Sequence, residues 1–244
     1  MKSTGTQSAL ENAGGNRTGI QTSPELAEEL IEGALAATPS SAGSAADLAA
    51  YRGQYIEEGF PIGSLPSLPV ADEAGANEEQ AGLAVLLDKL SERLAFERMG
   101  TRLYEALINK CELAAESSSA PALEQLRQIR EEELQHFLLL KSVITELGGD
   151  PTVQSPCADV AGVASLGILQ VLTDPRTSVT QCLQAILTAE LTDNDGWQLL
   201  INLADNLGYE EMAQEFQSAL EHEAKHVENV RSWLTGQVLE KAQA

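Results

Sequence analysis

The 244-residue chain carries 37 acidic against 15 basic side chains, a formal net charge of −22, with 43% hydrophobic and only 4% aromatic residues. That acidity excludes binding to nucleic acid or an anionic membrane through the general field, keeps a surface soluble and draws in cations. Many Ala and Leu with few aromatics favour packed helices over β-sandwiches, and the length allows one or two domains with a sizeable core.

Residues 1–22 are rich in Gly, Ser, Thr and Asn and are expected to be loosely ordered. Met1-Lys2-Ser3-Thr4-Gly5 has one charge and no apolar run behind it, so no secretory signal is expected. Ser23-Pro24-Glu25 supplies a capping hydroxyl, a Pro at the first position and an acid in the first turn, which predicts a helix to about Ala37. A second short helix fits Ala45 to Glu58. Pro61, Gly63, Pro66, Pro69 and Gly75 then mark an extended connection, so residues 23–77 form a helical extension and linker.

The main domain is expected over 78–238, with long helical patterns over 78–116, 121–147, 176–206 and 208–236. Each carries an apolar stripe in steps of three and four: Leu87, Leu90, Leu94, Tyr104 and Ile108; Leu126, Ile129, Leu140 and Val143; Val179, Leu183, Ile186, Trp197 and Leu200; Met212, Phe216, Val230 and Trp233. Ser117-Ser118-Ser119-Ala120-Pro121 and Gly148-Gly149-Asp150-Pro151 stop the first two. Two connections are short and give antiparallel hairpins. The middle one, over about 28 residues with a weakly helical apolar stretch from Val160 to Leu172, is long enough to run the length of a bundle. The fold class is therefore all-α, a four-helix bundle of two hairpins joined by a long crossover. No stretch reaches about 18 apolar residues, so no membrane helix is expected and the cytoplasm is the default address. Cys111, Cys157 and Cys182 are odd in number and lack a C-x-x-C pair. They argue against a disulfide framework, a zinc knuckle or a rubredoxin-type site, and read as small core residues in a reducing compartment.

Charge interrupts the four stripes at matching levels. Glu97 follows Leu90 and Leu94; Glu133 and His136 lie between Ile129 and Leu140; Glu190 lies between Ile186 and Trp197; Glu223 and His226 lie between Phe216 and Val230. A lone carboxylate in an apolar seam costs several kcal/mol unless paired or metal-bound. In Glu-x-x-His both side chains face one way on a helix and reach one ion. Two Glu-x-x-His helices plus two single-Glu helices are a known ligand pattern for two metal ions inside a bundle, and mixed oxygen and imidazole ligands suit iron, with manganese the other candidate. The seam 126, 129, 133, 136, 140 selects Glu133 over Glu131 and Glu132, and His222, with Ala219 three residues before it, is expected on the surface. Asp193, three residues after Glu190, faces inward and is expected to accept an N–H from a ligating His, with a role as an extra metal ligand the alternative. Tyr104, two turns after Glu97, is placed to donate to a ligand or pass an electron, although plain packing would serve as well. Trp197 and Trp233 are expected in the core.

Over about 80–236 the sequence resembles the ferritin-like di-iron carboxylate proteins, including bacterioferritin and rubrerythrin. The resemblance rests on Glu97, Glu133-Leu-Gln-His136, Glu190 and Glu223-Ala-Lys-His226, with Tyr104 similar to a tyrosine of bacterioferritin-like sites and Glu190-Leu-Thr-Asp193 similar to the paired carboxylates of the third rubrerythrin helix. It implies a dimetal centre that reacts with oxygen or peroxide, with a small-molecule substrate or redox donor supplying electrons. The N-terminal extension and long crossover depart from the family and argue for a homodimer or other small homo-oligomer over a 24-subunit cage. The rival functions are a ferroxidase or iron-storage protein, a manganese catalase-like enzyme, and a non-catalytic interaction module stabilised by metal.

Overall fold

A computed structural model describes residues 24–37, 44–59, 78–113 and 120–243. The chain divides into two compact units, residues 1–60 and 61–244. The first holds α1 (Pro24–Ala36) and α2 (Ala45–Glu58), where the sequence predicts them. Ser44 caps α2, accepting from the Asp47 amide. No residue of α1 is buried, and Leu30 and Leu35 stand in the open. The expected loose N-terminus over 1–22 and most of the expected linker, 60–77, lie outside the described residues.

The second unit holds α3 (Glu78–Leu113), α4 (Leu123–Glu146), α5 (Pro156–Thr173), α6 (Val179–Asn206) and α7 (Glu210–Gln243). Helix α3 packs on α4, α5 and α6, and α7 packs on α6 and α4, which closes a four-helix ring of α4, α3, α6 and α7. The apolar core is in two parts. One contains Leu87 and Leu94 of α3, Leu140 and Ile144 of α4, Trp197 and Ala204 of α6, and Phe216 of α7. The other contains Leu103 and Leu107 of α3, Leu126 and Ile129 of α4, Leu183 and Ile186 of α6, and Val230 of α7. The first part takes the early turns of α3 and α7 with the late turns of α4 and α6. So α3 and α7 run one way and α4 and α6 the other, and each sequential pair is an antiparallel hairpin.

Because α4 and α6 run the same way, the chain must travel the full bundle length between them. It does so as a complete helix, where the sequence suggested only a weakly helical stretch. Eighteen residues of α5 at about 1.5 Å each span about 27 Å. Ser155 caps its start, Pro156 sits at the first position, and the Asp88 carboxylate accepts the Cys157 amide, tying this end to the start of α3. At the other end Lys110 of α3 donates to the Asp174 and Thr177 carbonyls at 2.7 and 2.9 Å. By length and mean hydropathy α5 is the one helix among the described residues apolar enough to cross a membrane, although Asp159, Ser165 and Gln170 interrupt its apolar residues. It packs along α3 and α6 through Ala158, Ser165 and Leu172, and Val160 and Val163 remain exposed.

Two helix ends use the same device. Gly148 and Gly208, both with φ of 80°, follow Leu147 and Leu207 and let the chain turn back, so that the Gly149 and Tyr209 amides reach the Ile144 and Ala204 carbonyls. Helix α6 starts three residues later than the periodicity suggests, because Ser178 and Gln181 form a capping box behind Pro175. Helix α7 runs seven residues further than predicted. Gln237 and Lys241 hold its last turns to Thr180 of α6, which no apolar repeat encodes.

Candidate metal centre

Between the two apolar parts lies a band of buried charge. Glu97 on α3, Glu133 and His136 on α4, Glu190 on α6, and Glu223 and His226 on α7 are each at most 4% exposed. The one-turn spacing inside each Glu-x-x-His motif places both side chains on the inner face, and the antiparallel pairing sets all four helices at one level.

Both imidazoles turn Nδ1 inward. His136 Nδ1 lies 2.8 Å from Glu223 Oε1 and 3.6 Å from Glu97 Oε2. His226 Nδ1 lies 3.2 Å from Glu223 Oε2, 3.3 Å from Glu133 Oε1 and 3.7 Å from Glu190 Oε2. Glu223 thus offers one oxygen to each half. Donor atoms within 4.8 Å of one another form three overlapping sets: Glu133, Glu190, Glu223 and His226; Glu97, His136 and Glu223; and Glu97, Glu133, Asp193 and Glu223.

A ring of further residues holds these side chains. Tyr104 donates its hydroxyl to Glu190 Oε1, and the Trp197 indole N–H donates to Glu97 Oε1 at 2.9 Å. The outward nitrogens of the histidines also have partners. His226 Nε2 meets Glu132 Oε2 at 2.7 Å, and His136 Nε2 meets His222 Nδ1 at 3.3 Å. His222 is therefore not the free surface residue expected from its position off the seam. It is half-buried and stacked on His136, with ring centroids 5.5 Å apart. Asp193 is buried with the Arg93 guanidinium at 2.8 Å in place of the expected histidine N–H, and it falls in one of the donor sets, as the alternative of an extra ligand requires. Trp197 is core as predicted, and Trp233 is partly buried against the second apolar part.

Two glycines make room. A Cβ on Gly100 would fall 2.0 Å from Glu133 Oε2, and one on Gly196 would fall 1.9 Å from Arg93 Nη1. Each lies three residues after an inward carboxylate, Glu97 or Asp193. A helix-interior glycine costs about 1 kcal/mol relative to alanine, which is the sequence signal that could have flagged both positions. Glu132 and Arg93 carried no comparable signal, since charged residues on acidic helices ordinarily face water.

The electrostatics follow from crowding. Burial, then the charge of Glu223, pushes Glu133 up to about 8. Burial and the neighbouring Glu133 and Glu223 hold Glu190 well above the carboxylate range, and burial does the same to Asp193 against the pull of Arg93. Burial also works against ionised Glu223, but hydrogen bonds from His136 and His226 outweigh it and hold this carboxyl at about 2. His136 is raised to about 10: burial opposes the charge, and Glu223 and Glu97 overcome it. Burial, and then the charges of Glu190 and Glu133, raise the Tyr104 phenol. The hydrogen bond from His226 lowers Glu132 to about 2.

Buried polar atoms are nearly always satisfied. Here Glu97 Oε2, both oxygens of Glu133, Glu190 Oε2, Asp193 Oδ1, Glu223 Oε1 and His136 Nδ1 have close charged neighbours but none in full hydrogen-bond geometry, and they converge on one small volume. Oxygen and imidazole donors arranged this way fit divalent cations of the iron and manganese kind. Fold and site together define a ferritin-like four-helix bundle with a buried carboxylate–histidine cluster that can bind metal. The family model for the ferritin-like domain matches residues 87–236, so the chain belongs to the ferritin-like domain family. Comparison with curated proteins and with solved structures finds no match.

Proposed function

We propose that the cluster holds two divalent metal ions, iron in the first place and manganese in the second, and that the loaded protein is an oxidoreductase acting on oxygen or peroxide. Glu133, Glu190 and His226 would hold one ion, Glu97 and His136 the other, with Glu223 shared. The unpartnered, buried, converging donor atoms carry this reading. Four glutamates offset the charge of two divalent ions, so a loaded centre is close to neutral.

Iron held by these residues would supply the electrons for reducing oxygen or peroxide. The chain's own residues set the conditions. Apolar layers on both sides exclude bulk water from the band. Tyr104 holds its phenolic proton on Glu190 Oε1, which orients that carboxylate and places a hydroxyl proton beside the reacting volume. Glu132 and His222 anchor the outward nitrogens and keep each Nδ1 free for metal. Electrons return from a small-molecule substrate or redox donor, and the working form is a homodimer or other small homo-oligomer in the cytoplasm.

The test is anaerobic Fe(II) loading followed by metal analysis and anomalous scattering. Two peaks between Glu97 and Glu190 are expected, with oxygen or peroxide consumed on exposure. Absence of metal there after loading would sink the proposal. Metal retained with no consumption would leave a metal-stabilised bundle without the reaction.

A further inference from the structure

One cation is already built into the wall of the site. Arg93 lies one turn before Glu97 on α3 and is 4% exposed. Arginine is almost never so buried unless paired. Its Nη1 lies 2.8 Å from Asp193 Oδ1 and donates to the Asp193 and Thr192 carbonyls at 3.1 and 3.4 Å, while Nε is 3.8 Å from Glu97 Oε1. The guanidinium carbon sits 4.1 Å from the centre of the Phe96 ring. A side chain at residue 196 would crowd this seat, since a Cβ on Gly196 falls 1.9 Å from Nη1.

Asp193 has two claims on it. Its carboxylate is bound to Arg93, and it also falls in the donor set with Glu97, Glu133 and Glu223. With Asp193 counted, five buried carboxylates surround the centre, one more than two divalent ions neutralise. The guanidinium supplies the missing positive charge. We infer that Arg93 is a positioning residue that holds Asp193 out of the ligand set, so that the half with Glu97 and His136 keeps fewer protein ligands than the half with Glu190 and His226. This inference rests on the metal reading above and extends it to the division of labour between the two ions.

The probe is Co(II) bound to the full-length chain, read by its visible absorption per bound ion, which falls as coordination number rises. Arg93→Gln releases Asp193 to the metal: two Co(II) still bind and the absorption per cobalt drops. Arg93→Gln combined with Asp193→Asn removes both members of the pair and restores the parent spectrum, which a mere packing role for Arg93 would not produce. Gly196→Ala removes no charge but crowds Nη1, and shifts the spectrum in the same direction as Arg93→Gln. It reads the same displacement should Arg93→Gln fail to fold. An unchanged spectrum in Gly196→Ala, or a double variant that stays like Arg93→Gln, overturns the inference while the metal reading stands. A parent protein that binds no Co(II) or Fe(II) removes the metal reading itself.

Discussion

In one half of the cluster, His226 leans on the Glu132 carboxylate and Glu190 accepts the Tyr104 hydroxyl. In the other, His136 leans on the His222 ring, Glu97 accepts the Trp197 indole, and the Arg93–Asp193 pair stands behind them. The inward residues follow one plan, a histidine and a single-helix Glu in each half with Glu223 between them and Glu133 on the His226 side; the outer residues do not. A carboxylate behind an imidazole makes that imidazole a better ligand than a second imidazole does. A phenol brings a proton to the first half; the indole behind Glu97 is a donor only and cannot exchange roles. On the two-ion proposal the first half would bind more tightly and handle protons, and the second would keep the more open position.

The severest way to break this comparison is to remove what the halves share. Glu223→Ala is expected to abolish loading at both positions, because Glu223 belongs to every donor set. Glu190→Ala and Glu97→Ala should each leave about one ion per chain, in opposite halves. Equilibrium dialysis with Fe(II) or Mn(II) followed by elemental analysis checks all three. Retention of one full ion by Glu223→Ala would mean the halves are independent sites.

Proton linkage distinguishes the metal-free from the loaded bundle. Glu133 is raised from 4.5 to about 8, so its neutral form stabilises the metal-free fold fully below about pH 4.5, and that contribution is lost as pH rises through about 8. The contribution of His136, raised from 6.5 to about 10, is full below about pH 6.5 and fades as pH rises through about 10, so it adds to the loss in the upper part of this window. Glu223, lowered to about 2, keeps its contribution above pH 4.5. Between pH 5 and 8 the metal-free protein should thus lose stability, on the order of 4 kcal/mol from Glu133 alone. Metal binding displaces those protons, so it strengthens over the same window. The gap in Tm between loaded and metal-free protein is expected to widen by about 10 °C from pH 5 to pH 8, as read by scanning calorimetry. A gap that narrows would show that Glu133 is not the group on which metal and proton compete.

A smaller effect separates the halves directly. Glu132→Gln should weaken one ion by about 10- to 100-fold and leave the other, and His222→Ala should weaken the other ion by less. Competitive titration with a chromophoric chelator reads the two affinities. Equal losses from the two variants would remove the asymmetry.

Most of the inward set was legible because it obeys two periods at once. Glu97, Glu133, His136, Glu190, Glu223 and His226 fall on the helical seam, and charge on a seam demands a reason. The hairpins and the crossover were legible from connection lengths. The outer residues were not, because they reach the centre from positions off the seam. Glu132 is adjacent to a seam residue, and its long side chain crosses to a different helix. His222 joins by stacking on a ring from α4, which no spacing within α7 reveals. Arg93 depends on Gly196 about a hundred residues away, a tertiary fit that exists only once α3 and α6 are packed. The end of α7 was missed for a related reason: its last turns are held by polar contacts to Thr180, while the apolar repeat stops near Trp233.

The mildest change tests the proton side of the comparison. Tyr104→Phe keeps the ring that packs with Leu103, Leu107 and Ile186, and removes only the hydroxyl on Glu190. Loss of one buried hydrogen bond costs about 1 kcal/mol, so the fold and the metal content should be kept. Glu190 loses the donor that holds one of its oxygens, and its carboxylate becomes free to turn. If the phenol only fills space, oxygen consumption by the Fe(II)-loaded variant should match the parent at every pH. If it positions Glu190 and supplies a proton, consumption should fall about tenfold or more while Fe(II) affinity changes by less than threefold. The counterpart Trp197→Phe removes the indole N–H from Glu97 in the other half. It should alter affinity more than rate, because an indole N–H orients a carboxylate without delivering a proton to it.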